Sequence, residues 1–317
     1  MQSNLSIFGL RSRDFAGSFS RETRAEPGER LGAPYHRLSM PSPALDRLPP
    51  ELAARTRFLR AIAERAGRFT LTYFQHPGMQ VEHKEDESPV TAADRGCEEL
   101  IRRAIAAEFP EDGMLGEEHG DEPGSGRYRW IIDPIDGTVS FARGVPLYGV
   151  LIAIEDLSMA EPRIVAGACE LPALRERVWA AEGAGAWWER EGEPVVRARV
   201  SGVTELQKAL VGTTGYEYFR RAGCVSALDA LSTAAGRIRG WSDCYCLALA
   251  ATGRCDAAVE PWMNPWDSGP FPVIFEEAGG TFSAWDGTPG VHRRTAVAAN
   301  PALHRQLLEV LRASGHA

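Results

Sequence analysis

Residues 130–146 read WIIDPIDGTVSFARGVP, and no other stretch limits the fold as much. An apolar run, Trp130 to Ile132, ends on Asp133; Asp136 follows across Pro134 and Ile135, and Gly137 and Thr138 come next. A continuous apolar run of this kind fits a buried strand, and carboxylates are rarely buried without a partner. Something at that strand end must therefore offset two acids. Pro134 stiffens the turn, and Gly137 permits close backbone approach to a ligand. Two carboxylates and the intervening carbonyl can converge on a hard cation. If Gly137 and Thr138 open a helix, their amides add an anion site at the positive end of its dipole. The structural alternative is an Asx-turn in which Asp136 only caps a helix. The motif alone does not separate the two.

Three further junctions carry acids. GEEH (Gly116 to His119) places Glu117 and Glu118 upstream of the strand, TAADR places Asp94 at a helix start, and NPWDSG places Asp267 at another. Each has a plain reading as a cap or a solvated acid. Four such junctions in one chain argue for a shared site. The formal net charge of −8 gives no basic surface for nucleic acid, and an acidic protein repels phosphate unless cations intervene. Two or more Mg²⁺ would neutralise the carboxylates, hold phosphate oxygens and lower the pKa of a bound water.

The rest of the chain supplies the frame. At 317 residues, 44% hydrophobic and 25% charged, it is long enough for one large or two modest domains. Residues 1–45 lack periodicity and read as a disordered extension, with Met40 as an alternative start. From Pro49 apolar residues recur at three- and four-residue steps through Phe69, and SPVT (Ser88 to Thr91) reads as a turn into a second helix, Ala92 to Phe109. Short strand-like runs follow: YGVLIAIED, RIVAGACEL, RVWAAEG and AGAWWER. The second half alternates strand and helix: ALVGTTG, the helix Cys244–Thr252, CDAAVEP, a helix from Trp266 to Ala278, GGTFSAWDG, RTAVAAN and a last helix from Pro301. This is a layered α/β or α+β pattern. Six scattered cysteines without metal-site spacing read as buried free thiols of a cytoplasmic protein, and no run approaches the roughly 20 apolar residues of a membrane span.

GEEHG, WIIDPIDGTVSF and NPWDSG…EEAGG, with SPVTAADR before them, resemble the signature segments of the inositol monophosphatase family of Mg²⁺-dependent phosphatases. The resemblance runs from about Leu52 to the C-terminus. It implies a five-layer α-β-α-β-α sandwich of the inositol monophosphatase and fructose-1,6-bisphosphatase type over residues 46–317, with a metal-binding half (46–195), an α/β half (196–317) and a homodimeric assembly. It also implies a first metal held by Glu117, Asp133 and the Ile135 carbonyl, a second held by Asp133, Asp136 and Asp267, and a weaker third near Glu117. Thr138, bonded to Asp94, would help activate the attacking water; Gly137 and Thr138 would offer amides to the phosphate. Lithium inhibition is expected on the same ground. Family members commonly carry asparagine where this chain has Ser140, and small residues where Ser268-Gly269-Pro270 open a helix that is expected to persist.

RGWSDCYC and FARGVPLYGVLIAI are similar to the histidinol-phosphatase branch, where a glycine is usual at Ser242. Glu260 falls where the family places a substrate-contacting acid, and Asp243 lies in the loop that would face it. A substrate bearing an ammonium and an imidazole gains from two acids outside the metal shell, each charge-assisted bond contributing roughly 1.5–3 kcal/mol. Asp243 has a second reading as the cap of the helix that begins at Cys244. The expected substrate is a small phosphate ester, histidinol phosphate; the alternatives are inositol-1-phosphate or a range of sugar phosphates, and, outside catalysis, a regulatory binding role. Trp187, Trp188 and Trp241 read as core or interface packing.

Overall fold

A computed structural model describes residues 44–76, 81–83 and 89–316. Residues 1–43 of the expected disordered extension lie outside them; Leu45 is already buried beside Leu48 and Leu52. Among the described residues the first half runs α1 (Pro50–Leu71), β1 (Val81–His83), β2 (Pro89–Thr91), α2 (Ala92–Glu108), β3 (Gly113–Gly116), β4 (Gly120–Glu122), β5 (Tyr128–Asp136) and α3 (Thr138–Ala142). It continues through β6 (Gly149–Asp156), β7 (Arg163–Leu171), β8 (Glu176–Ala181), β9 (Gly185–Arg190) and β10 (Val196–Arg197). The second half holds β11 (Leu210–Thr213), α4 (Tyr216–Arg221), α5 (Val225–Ala234), β12 (Arg237–Gly240), α6 (Asp243–Ala251) and β13 (Ala257–Glu260). It closes with α7 (Pro265–Ser268), α8 (Phe271–Glu277), β14 (Thr281–Ser283), β15 (Ala296–Ala299) and α9 (Pro301–Ala313).

Side-chain alternation builds the layers. The larger sheet has the order β10-β9-β8-β7-β6-β5-β3-β4. From β5 and β6, Trp130, Ile132, Val150 and Ile152 pack on Leu59, Ile62, Ile101 and Ile105 of α1 and α2. Their neighbours Ile131, Leu151 and Ala153 pack on Leu247 of α6 and on Phe271 and Ile274 of α8. The smaller sheet, β12-β11-β13-β15-β14, meets those same two helices through Ala258 and Ala298. Its far side, Val211, Val259 and Val297, is covered by Leu231 of α5 and by Leu303 and Leu307 of α9. The result is helix, sheet, helix, sheet, helix, as expected.

Two local readings are corrected. Residues 89–91 form a strand: Pro89–Thr91 pairs antiparallel with Val81–His83, so only Thr91 turns the chain into α2. The helix expected from Trp266 to Ala278 is two helices, α7 and α8. Pro270 has no N–H to donate to the preceding turn, which separates them at Gly269.

Candidate active site

The sheet itself explains the spacing of the two opening acids. In a regular strand, residues three apart point to opposite faces. Here Asp133 pairs with Leu151 and Asp136 with Gly149, three residues against two, so Pro134-Ile135 form a one-residue bulge. The bulge turns both carboxylates the same way. Asp133 Oδ1 also accepts the Ile135 N–H at 3.0 Å, and Gly137 (φ 86) then reverses the chain into α3.

Ligand atoms of Asp133, Asp136 and Asp267 lie within 4.8 Å of one another. Asp267 arrives from the start of α7, where its Oδ2 accepts the Asn264 N–H at 2.7 Å in a capping box. Glu117 lines the same cleft of about 200 Å³ but stands outside that tight group of three. The cleft is also lined by Ile135, Gly137, Thr138, Asp243 and Glu260, so nine of the ten sequence-derived site residues meet in one place. The tenth, Asp94, lies behind Thr138, whose hydroxyl is 3.4 Å from Asp94 Oδ1 and 3.1 Å from the Ile135 carbonyl oxygen. Asp94 Oδ2 is held by the Thr91 N–H at 2.8 Å and the Thr91 hydroxyl at 2.6 Å.

The cluster is electrostatically strained as it stands. Burial, then Glu117, Asp136 and Asp267, push the Asp133 carboxyl far above the usual range. Burial, then Asp243 and Asp267, do the same to Asp136. Asp267 is pushed up to about 7, chiefly by burial. The neighbours that act most on Asp133 are all acids, and oxygen donors gathered this closely fit a hard divalent cation.

Asp136 does cap a helix, but a distant one: its Oδ2 accepts the Cys244 N–H at the start of α6, at 2.5 Å. That corrects the capping reading of Asp243. Asp243 is the first residue of α6, and its carboxylate instead accepts from the Ser242 hydroxyl at 2.5 Å and from the Tyr218 hydroxyl. Ser242 (φ 59, ψ 126) and Asp243 (φ 34) both sit where a non-glycine backbone costs about 1–3 kcal/mol. Across the cleft, Glu260 is 2% exposed; its Oε2 accepts the Thr214 N–H at 3.1 Å, while Oε1 is buried with no partner. Burial pushes the Glu260 carboxyl up to about 8.

Tyr218, Arg221 and Trp262 also line the cleft and were not marked out by the sequence. Tyr218 and Arg221 ride on the six-residue α4, too short for a periodic signal. Trp262, 40% exposed beneath the Arg294 guanidinium, follows Glu260-Pro261 in a segment without regular structure.

The profile of the inositol monophosphatase family matches residues 51–316. The chain is a member of the inositol monophosphatase family. Within that family it is 43% identical over 251 residues to the histidinol-phosphatase of Chlorobaculum parvum, covering 79% of this chain and 93% of the relative. It is 37% identical to the histidinol-phosphatase of Mycobacterium tuberculosis, covering 80% of this chain and 96% of the relative. The crystal structure of extragenic suppressor protein SuhB from Bartonella henselae superimposes with a TM-score of 0.73 at 28% identity, covering 82% of this chain and 98% of that one. The inositol monophosphatase family is metal-dependent, in keeping with the carboxylate trio.

Proposed function

We propose that this protein is a Mg²⁺-dependent phosphoric monoester hydrolase acting on histidinol phosphate. The observation that carries the reading is the division of acids within one cleft. Asp133, Asp136 and Asp267 crowd together, while Asp243 and Glu260 line the same cleft outside that group of three, Asp243 near enough to Asp136 to act on its carboxyl. The high identity to histidinol-phosphatases supports the choice of substrate.

Asp133, Asp136 and Asp267, with Glu117 and the Ile135 carbonyl, would hold two to three Mg²⁺. Bound there, the ions supply charge compensation and Lewis-acid polarisation of the phosphoryl group. The protein's own residues do the rest. Asp94 accepts a hydrogen bond from the Thr138 hydroxyl, which leaves the threonine oxygen to accept one from the attacking water and orient it. Gly137 and Thr138 present amides to the phosphate, and the positive φ of Gly137 lets the backbone come close. The water oxygen forms the new P–O bond as the ester P–O bond on the opposite side breaks, and the proton that the water gives up ends on the departing alkoxide.

Substrate choice falls to the remaining acids. The unpartnered Oε1 of Glu260 suits a buried donor, and a cationic one would also favour its ionised form. Asp243 offers a second carboxylate toward the ammonium. On this reading Glu260→Gln and Asp243→Asn raise KM for histidinol phosphate by about tenfold, the equivalent of one charge-assisted bond, and leave inositol-1-phosphate far less affected. Steady-state kinetics on both esters is the test; equal losses would remove the charge-recognition argument. The same reading takes the enzyme as a homodimer whose phosphatase domain spans residues 46–317, and light scattering on the purified protein checks the assembly.

A further inference from the structure

Ser242 is the most anomalous residue near the cleft. Its φ of 59 belongs to glycine, yet the chain places a side chain there, and that side chain is engaged on both sides. Ser242 Oγ lies 2.9 Å from Ser140 Oγ of α3 and 2.5 Å from Asp243 Oδ2. Ser242 donates its one hydroxyl proton to Asp243, so in the contact with Ser140 it can only accept, and Ser140 donates to Ser242. Asp243 Oδ2 in turn lies 3.0 Å from where a Cβ on Gly137 would stand, so the carboxylate rests directly over the residue that opens α3.

We propose that Ser140 and Ser242 are positioning residues: a directed pair of hydroxyls, carried at the expense of backbone strain, that aims the Asp243 carboxylate at the cationic end of the substrate. The inference rests on the reading of Asp243 as the acceptor of the substrate's ammonium. A backbone outlier persists only where its surroundings over-determine it, and the only feature glycine would lose at position 242 is this hydroxyl. A mere clip between α3 and α6 makes the opposite forecast, since removing it would only loosen the fold.

The test is kinetic and thermal together, on the full-length protein with Mg²⁺, using histidinol phosphate and β-glycerophosphate as the amine-bearing and neutral esters. Ser242→Gly is expected to raise Tm by about 2 °C through relief of strain. In the same variant KM for histidinol phosphate rises about fivefold, while KM for β-glycerophosphate moves by less than about twofold. Ser140→Ala shifts KM in the same direction by less. Combined with Ser242→Gly it adds nothing, because both cut one chain of donors. Ser140→Thr, which keeps the hydroxyl, restores the KM lost in Ser140→Ala. Equal KM changes for the two esters, additive effects in the double variant, or a lower Tm for Ser242→Gly with KM unmoved would each overturn the proposal. Failure of the substrate reading looks different: wild-type enzyme would show no preference for histidinol phosphate, and the positioning role would fall with it. A wild-type preference that survives Ser242→Gly defeats the positioning role alone.

Discussion

Asp133, Asp136 and Asp267 each have one oxygen tied to a backbone amide, and each still crowds the other two. Asp136→Asn or Asp267→Asn keeps those bonds within reach while removing a charge the cation needs. Turnover should fall by more than the roughly 10–100-fold typical of losing an outer partner of a metal ligand, with an unchanged circular dichroism spectrum. The convergence of these acids in one cleft was legible from four acid-bearing junctions taken together and from the family resemblance, since any one of them reads equally well as a cap. Asp243 was only half legible. Sequence leaves open whether an acid at a helix start accepts from its own helix, and here Asp136, more than one hundred positions away, holds that place. The strain at Ser242 has no sequence signature beyond the missing glycine.

Elements carry the site because each is anchored behind it. The turn bearing Glu117 is fixed from α2: buried Glu98 accepts the Glu118 N–H at 2.7 Å and the His119 N–H at 3.2 Å, and its Oε1 takes Arg102 Nε at 2.7 Å. A Cβ on Gly116 would collide with that same carboxyl. Glu98→Ala should therefore weaken Mg²⁺ binding by about 10–100-fold without touching a ligand, measurable by titration calorimetry. Long helices and two-sided buried strands showed themselves through periodicity and apolar runs. The short pieces did not: β1 to β4 have three or four residues each, and their pairing is decided by distant partners. Pro270 was visible, but whether one proline starts a helix or splits it depends on what the preceding turn has already formed.

For the molecule as a whole, the cleft stores protons. Asp133 and Asp136 have carboxyls raised by burial and like charge, burial raises that of Asp243, Asp267 reaches about 7 and Glu260 about 8. Without cations the folded state thus binds more protons than the unfolded chain between pH ~4 and ~8, so stability falls as pH rises through that window. Tm in EDTA should decline from pH 5 to pH 8, and saturating Mg²⁺ should flatten the slope while releasing protons to the buffer. Calorimetry in buffers of different ionisation enthalpy counts those protons; a Tm in EDTA that climbs over this range would contradict the picture. The five layers were implied by the family resemblance; the residues themselves pointed only to a layered α/β or α+β pattern. Nothing in composition foretold that α6 and α8 would serve both sheets.

Asp136 answers to two masters, the ion expected beside it and the Cys244 amide that it already holds. Anything that reorients its carboxylate is felt at the first turn of a helix wedged between the two sheets. Hydrogen exchange at that single amide should therefore report, from inside the core, whether the mouth of the enzyme is loaded or bare.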